Sequence, residues 1–213
     1  MMTSSYPDIT QEAHVIEDKF FVLGNTTLDR GIRSISLEIS NILIVVDASG
    51  IKERYPRRSG DKNNPTMITN ADENIYMIAP RRFVKSGMAT SELFSQNMVG
   101  DTIRWHITTE SNNFDQSAIL YDFKYYPEGI ISSLDISTAT KDCVQSSQTA
   151  ESTNKNIPAV IRANCSYTMA EARANTPGRL QYFAHFGIFE RSRKTGKYVL
   201  VGYFMWDPFL IVA

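Results

Sequence analysis

The sequence predicts an all-β fold: an antiparallel β-sandwich of jelly-roll or immunoglobulin-like type behind a short N-terminal extension. Three observations carry this. Short apolar runs recur at regular intervals, turn-forming Gly, Pro, Asn and Asp separate them, and aromatics are plentiful, with 10 Tyr and 11 Phe. Aromatic and β-branched side chains suit a pleated surface. Many short strands with little helix indicate a sandwich or barrel rather than alternating βαβ units.

Taken in order, residues 1–40 read as the extension. Asp8 followed by Gln11 resembles a helix N-terminus and predicts a short helix over 9–19. Ile35, Leu37 and Ile39 then alternate with polar residues at a strand period. The sandwich domain occupies 41–213. Residues 42–46 (Ile-Leu-Ile-Val-Val) form a continuous apolar strand that should lie centrally with both faces covered. One or two helical turns over 49–55 end at Pro56, and 57–74 read as a long polar loop.

Further strands are predicted at 75–79, 91–95, 102–109, 117–125, 130–136, 160–169, 180–189 and 198–205. The turns Gly100-Asp101, Pro177-Gly178 and 194–197 mark boundaries between them. In 137–156, 12 of 20 residues are Ser, Thr, Asn or Gln, a composition that reads as a polar mobile insertion. Pro208 removes a ladder donor, so the last strand should bend or become an edge there.

Composition excludes several classes. The formal net charge is −1, from 22 basic and 23 acidic side chains, so no nucleic-acid binding by counterion release is expected. The basic runs at 52–58, 81–85 and 191–197 read as solvated turns. The N-terminus shows no basic-then-apolar signal pattern, and no run has the length and apolarity of a membrane helix. The expected compartment is therefore the cytoplasm, with Cys143 and Cys165 as unpaired thiols.

Catalytic patterns are missing. His14, His106 and His185 share no metal-ligand spacing with each other or with the cysteines, so neither a zinc nor a copper constellation is expected. No Gly-x-Ser-x-Gly elbow and no phosphate-cradling glycine loop occurs. The chain is read as a non-enzyme without metal or cofactor. If it binds a small polar ligand, the candidate residues are Asn112, Asn113 and Asp115, on a loop between two strands, with Asp47, Trp206 and Asp207 as further partners. Amide and carboxylate oxygens there suit sugar hydroxyls or a hard cation, and an exposed Trp206 would stack on a sugar ring. The competing structural readings are that Asp47 caps a helical turn, Asp207 initiates the Pro208 turn, the Asn residues cap their own loop, and Trp105 and Trp206 fill the core.

Several segments together resemble the PixA/AidA inclusion-body protein family of bacteria. They are Ile42-Leu43-Ile44-Val45-Val46-Asp47, Ile51-Lys52, Tyr55-Pro56, Asn64-Pro65-Thr66, Tyr76-Met77, Val99-Gly100-Asp101-Thr102-Ile103-Arg104-Trp105, Ala118-Ile119-Leu120-Tyr121 and Gly202-Tyr203-Phe204-Met205-Trp206-Asp207-Pro208. The resemblance implies a β-sandwich protein of host-associated bacteria, some of whose relatives accumulate in cytoplasmic inclusions or respond to cell density. It brings no catalytic residues with it. The resulting expectation is a self-associating cytoplasmic protein, most simply a homodimer, used in storage or host interaction. The alternatives are a carbohydrate-binding module using loops at one end of the sandwich and, third, an enzyme of unfamiliar type.

Overall fold

In the computed structural model, which describes residues 37–146 and 160–213, the first element is strand β1 (Ile39–Val46). The helix expected over 9–19 lies outside the described residues. Strand β1 runs into helix α1 (Ala48–Arg54), whose start is fixed by Asp47: its Oδ1 accepts the Gly50 N–H at 2.8 Å. Lys52 and Arg54 sit in the last turn, where the helix carbonyls favour positive charge. Strands β2 (Thr66–Met67), β3 (Ile75–Ile78), β4 (Val84–Ser86) and β5 (Phe94–Asn97) follow. The long strands come next: β6 (Thr102–Thr109), β7 (Gln116–Tyr126), β8 (Asp135–Ser146), β9 (Val160–Arg173), β10 (Gly178–Arg191), β11 (Tyr198–Trp206) and β12 (Phe209–Val212).

These strands form two sheets. One has the order β3-β1-β6-β9-β8; the other runs β2-β11-β10-β12-β5-β4, with β7 on the far side of β10. Both are mixed. Strand β1 pairs parallel with β6, β2 with β11 and β5 with β12, while the remaining pairs are antiparallel. The β-rich expectation holds, but a purely antiparallel sheet arrangement does not form. The reason is the long excursion between β1 and β6, which carries α1 and β2–β5 and so permits a parallel return.

The inner faces of both sheets contribute to one core cluster, including Ile42, Ile44, Ile103 and Trp105 from the first and Tyr182, Phe186, Phe204 and Trp206 from the second. Asp101, 3% exposed, fastens the entry to β6: its carboxylate accepts the N–H groups of Glu38 and Met98 at 3.0 and 2.8 Å. Gly100 supplies the left-handed turn beside it, at φ +98°.

Strand β1 lies between two neighbours, as the apolar run requires, but only one of its faces is covered. Ile42, Ile44 and Val46 are buried, while Leu43 is 39% exposed on the outer face. Strands β11 and β12 are one ladder interrupted at Asp207-Pro208. Ala184 pairs with Trp206 and Gln181 with Phe209, so the register along β10 survives the gap. The missing Pro208 N–H breaks the strand without shifting it.

Two expectations fail on the β8–β9 pair. Residues 137–146 form regular strand, each paired with a β9 residue in unbroken register from Ser137↔Met169 to Ser146↔Val160. The hydroxyl-rich composition reflects a ribbon with little buried face, in which Thr and Ser pair across strands, as at Thr140–Ser166 (2.9 Å). Residues 147–156 lie outside the described residues. The second failure concerns the thiols: Cys143 and Cys165 form a disulfide with Cα atoms 6.1 Å apart. Register places Cys143 opposite Ala163 and Cys165 opposite Lys141, so the bond is diagonal across one face of the ribbon. Ordinary spacing rules could not reveal it, because the antiparallel pairing that brings the two together spans residues read as a loop.

Candidate functional site

A wide concavity arises where β9 leaves β6. The last β6–β9 pair is His106↔Met169, after which β8 and β9 continue as a two-stranded ribbon. Between the ribbon, the end of β6 and the start of β7 lies an open cleft of about 1040 Å³. Its β6 wall presents Arg104, His106 and Thr108, its ribbon wall Lys141, Tyr167 and Thr168, and Asn112 closes one end.

The electrostatics are mildly positive. Arg104 donates to Glu171 Oε2 through Nε (2.8 Å) and Nη2 (2.6 Å), which neutralises it. Burial lowers the His106 pKa, the Thr168 backbone opposes this, and the charges of Arg104 and Lys141 add to the lowering. The imidazole is thus held neutral, edge-on to the Tyr167 ring with centroids 5.0 Å apart. Hydroxyls, the amides of Asn41 and Asn112 and a neutral imidazole beside an aromatic ring can hydrogen-bond and pack a neutral polar ligand. No nucleophile–base pair is formed by these side chains, and among the described residues no three His, Cys, Asp or Glu groups gather to hold a metal.

The six residues singled out from sequence do not converge. Asn112 and Asn113 line the cleft. Asn113 is committed to its own loop: its Oδ1 accepts the N–H groups of Thr109 and Ala118, each at 3.1 Å. Both Asn residues have positive φ, at 54° and 58°, which Asn tolerates better than most side chains. Asp115 faces a different hollow, of about 560 Å³, together with Glu110, Glu190, Arg191 and Arg193. Asp47 caps α1. Asp207 accepts from Gln181 Nε2 at 2.8 Å in the break between β11 and β12. Trp206 has no exposed surface, packing against Phe186 in the core, and Trp105 is 1% exposed. Neither tryptophan has a face free for a ligand. The cleft's His106, Lys141 and Tyr167 were not picked out from sequence; the signal for them is the divergence of two strands, which no local pattern encodes.

The fold and cleft define a two-sheet β protein with a disulfide-pinned ribbon and no catalytic constellation among its described residues. Residues 38–212 match the family model described as PixA, inclusion body protein. The chain belongs to that family. Among solved structures, it is similar to the inclusion body protein PixA from Burkholderia cenocepacia J2315. The identity is 20% and the TM-score 0.67, covering 85% of this chain and 99% of that one. At that identity the likeness speaks for the fold. No curated protein matches the chain.

Proposed function

We propose that this protein is a non-enzymatic member of the inclusion body family that associates with copies of itself, most simply as a dimer, and accumulates in cytoplasmic inclusions. The observation that carries the reading is an apolar strip on the outer face of the first sheet. Leu43 of β1 and Ile78 of β3 are cross-strand partners, 39% and 42% exposed, with Tyr76 next to Ile78 on the same face and Ile39 further along β1 beyond Asn41. Such a contiguous strip on a sheet face beside its edge strand is costly in water and suits contact with another chain. The near-zero net charge offers little repulsion. No helix among the described residues is long and apolar enough to cross a membrane. The Cys143–Cys165 bond removes the thiol argument for the cytoplasm; the family's description as inclusion body protein is what supports that placement.

Sedimentation of the full chain over a wide concentration range tests this. A dimer or larger species that L43K/I78K converts to a folded monomer is expected. A monomer throughout overturns it.

A second reading is favoured by the cleft: binding of a neutral polar ligand such as a carbohydrate, with Asn112, Lys141 and Tyr167 as contacts. Glycan-array signal that is lost in Y167A and N112A/K141A would establish it, and silence across the array would dismiss it.

A further inference from the structure

His185 lies on the outer face of β10, with a side chain only 3% exposed. Neither of its ring nitrogens has a hydrogen-bond partner among the described residues. A neutral imidazole carries one donor and one acceptor, and leaving both unmatched in a buried site is costly. Opposite it, β7 is bulged: His185 pairs with Asp122 and Phe186 with Leu120, leaving Tyr121 as the extra residue. Bulges of this kind commonly re-aim side chains at binding sites. Asp122 Oδ2 stands 3.4 Å from His185 Nδ1, a charge contact without hydrogen-bond alignment, while its Oδ1 accepts the Phe123 N–H at 2.9 Å.

The roof over this spot is built from the segment after α1. Ser59 bridges Tyr203 on β11, and the Tyr121 hydroxyl donates to the Lys62 carbonyl at 2.8 Å on the opposite side. The half-open hollow is about 300 Å³ and is lined by Lys62, Asn63, Tyr121, Asp122, Lys124 and His185. Two lysines, an asparagine and a histidine line it together with one aspartate. The lining residues alone carry a formal charge of +1 with His185 neutral, which Asp61 beside Tyr121 offsets.

We propose that this hollow binds a small oxyanion, a carboxylate or phosphate-type group, through His185, Lys62 and Lys124. Asp122, 3.4 Å from Nδ1, favours the protonated imidazole by its charge, and Nε2, buried in this structure, donates to the anion after the ring turns toward the hollow. Two further groups lie nearby: Asp61, which acts on Tyr121 from the crossing segment, and Tyr203 on β11. Burial and Lys124 favour neutral imidazole while Asp122 opposes them. An anion tips that balance, so binding takes up a proton. A metal is a poorer fit, because His185 and Asp122 are joined by no third ligand of the usual kinds among the described residues.

The test is long-range ¹H–¹⁵N spectroscopy of the histidine rings in the full chain. Sodium sulfate and sodium acetate are titrated separately against sodium chloride at matched ionic strength. A saturable millimolar shift of the His185 ring, with its apparent pKa rising, is expected. Sulfate alone acting assigns a phosphate-type ligand, acetate alone a carboxylate, and either supports the site. K62Q/K124Q, both at the hollow's rim, should weaken binding by about tenfold or more. No saturable shift with either anion, or binding unchanged in the double variant, overturns the proposal.

Discussion

Trp105 Nε1 donates to the Tyr182 hydroxyl at 3.2 Å, joining the two sheets by a hydrogen bond inside the core. Both residues are almost fully buried, and Phe123 packs against each of their rings. Burial raises the Tyr182 pKa strongly, so the hydroxyl stays protonated and accepts from the indole while its own proton is retained.

Tyr182→Phe should therefore cost about 1–3 kcal/mol, because it orphans a buried indole N–H while barely altering volume. Urea unfolding should show a lower midpoint with an unchanged slope. Adding Trp105→Phe removes the orphan donor but opens a cavity, so the double variant should deviate from additivity. A single variant as stable as the parent would show that the bond contributes nothing.

Where the chain alternates or runs apolar, the strands were legible in the sequence: β6 is predicted at its observed bounds, and β1, β3, β7, β10 and β11 within a few residues. Asp47 as a helix cap and the buried tryptophans were equally legible, since capping and aromatic burial are local or compositional effects. Sheet assembly was not. Whether β1 meets β6 in parallel depends on what lies between them, and β12 is too short to announce itself after Pro208. The ribbon was misread for a different reason. Strand prediction relies on one face being apolar, and β8 has neither face in the core. The cleft and the His185 hollow both depend on strand divergence or bulging, so their residues carried no pattern.

The disulfide should stabilise the ribbon locally. Beyond the His106↔Met169 pair, β8 and β9 hold mainly each other. The bond closes a loop between residues 22 apart in sequence, worth about 3 kcal/mol in chain entropy. On reduction, or in C143S/C165S, hydrogen exchange should accelerate over 139–146 and 160–167. Protection in β1 and β10 should change little. Equal loss of protection everywhere would mean that the ribbon unfolds with the core.

Asn113 offers a ranking rather than a single value. Asn113→Ala removes both loop hydrogen bonds and places a Cβ residue at φ 58°. Asn113→Gly loses the same bonds but relieves the backbone, so Gly should retain about 0.4–1 kcal/mol more stability than Ala. Asn113→Asp keeps an acceptor for the Thr109 and Ala118 N–H groups and should be the mildest. Thermal unfolding of the three variants checks the order. Ala matching Gly would show that the backbone conformation is unstrained.

Stability should also fall on acidification through the histidines. Burial lowers the pKa of both His106 and His185 below the ordinary 6.5, so each is held neutral in the fold. As pH drops below 6.5, the unfolded chain binds protons that the folded chain refuses, and stability declines until the depressed folded values are reached. Glu92 works in the opposite sense. Burial raises its pKa above 4.5, so the folded state holds its proton longer and the associated stability is lost as pH rises from 4.5 toward the raised value. Urea midpoints compared between about pH 7.5 and about pH 5.5 should decrease in the parent. His185→Asn, which cannot charge, should flatten part of that slope, and His106→Asn another part. A parent whose midpoint is level across this range, or variants whose slopes match it, would mean that neither imidazole is held neutral by the fold.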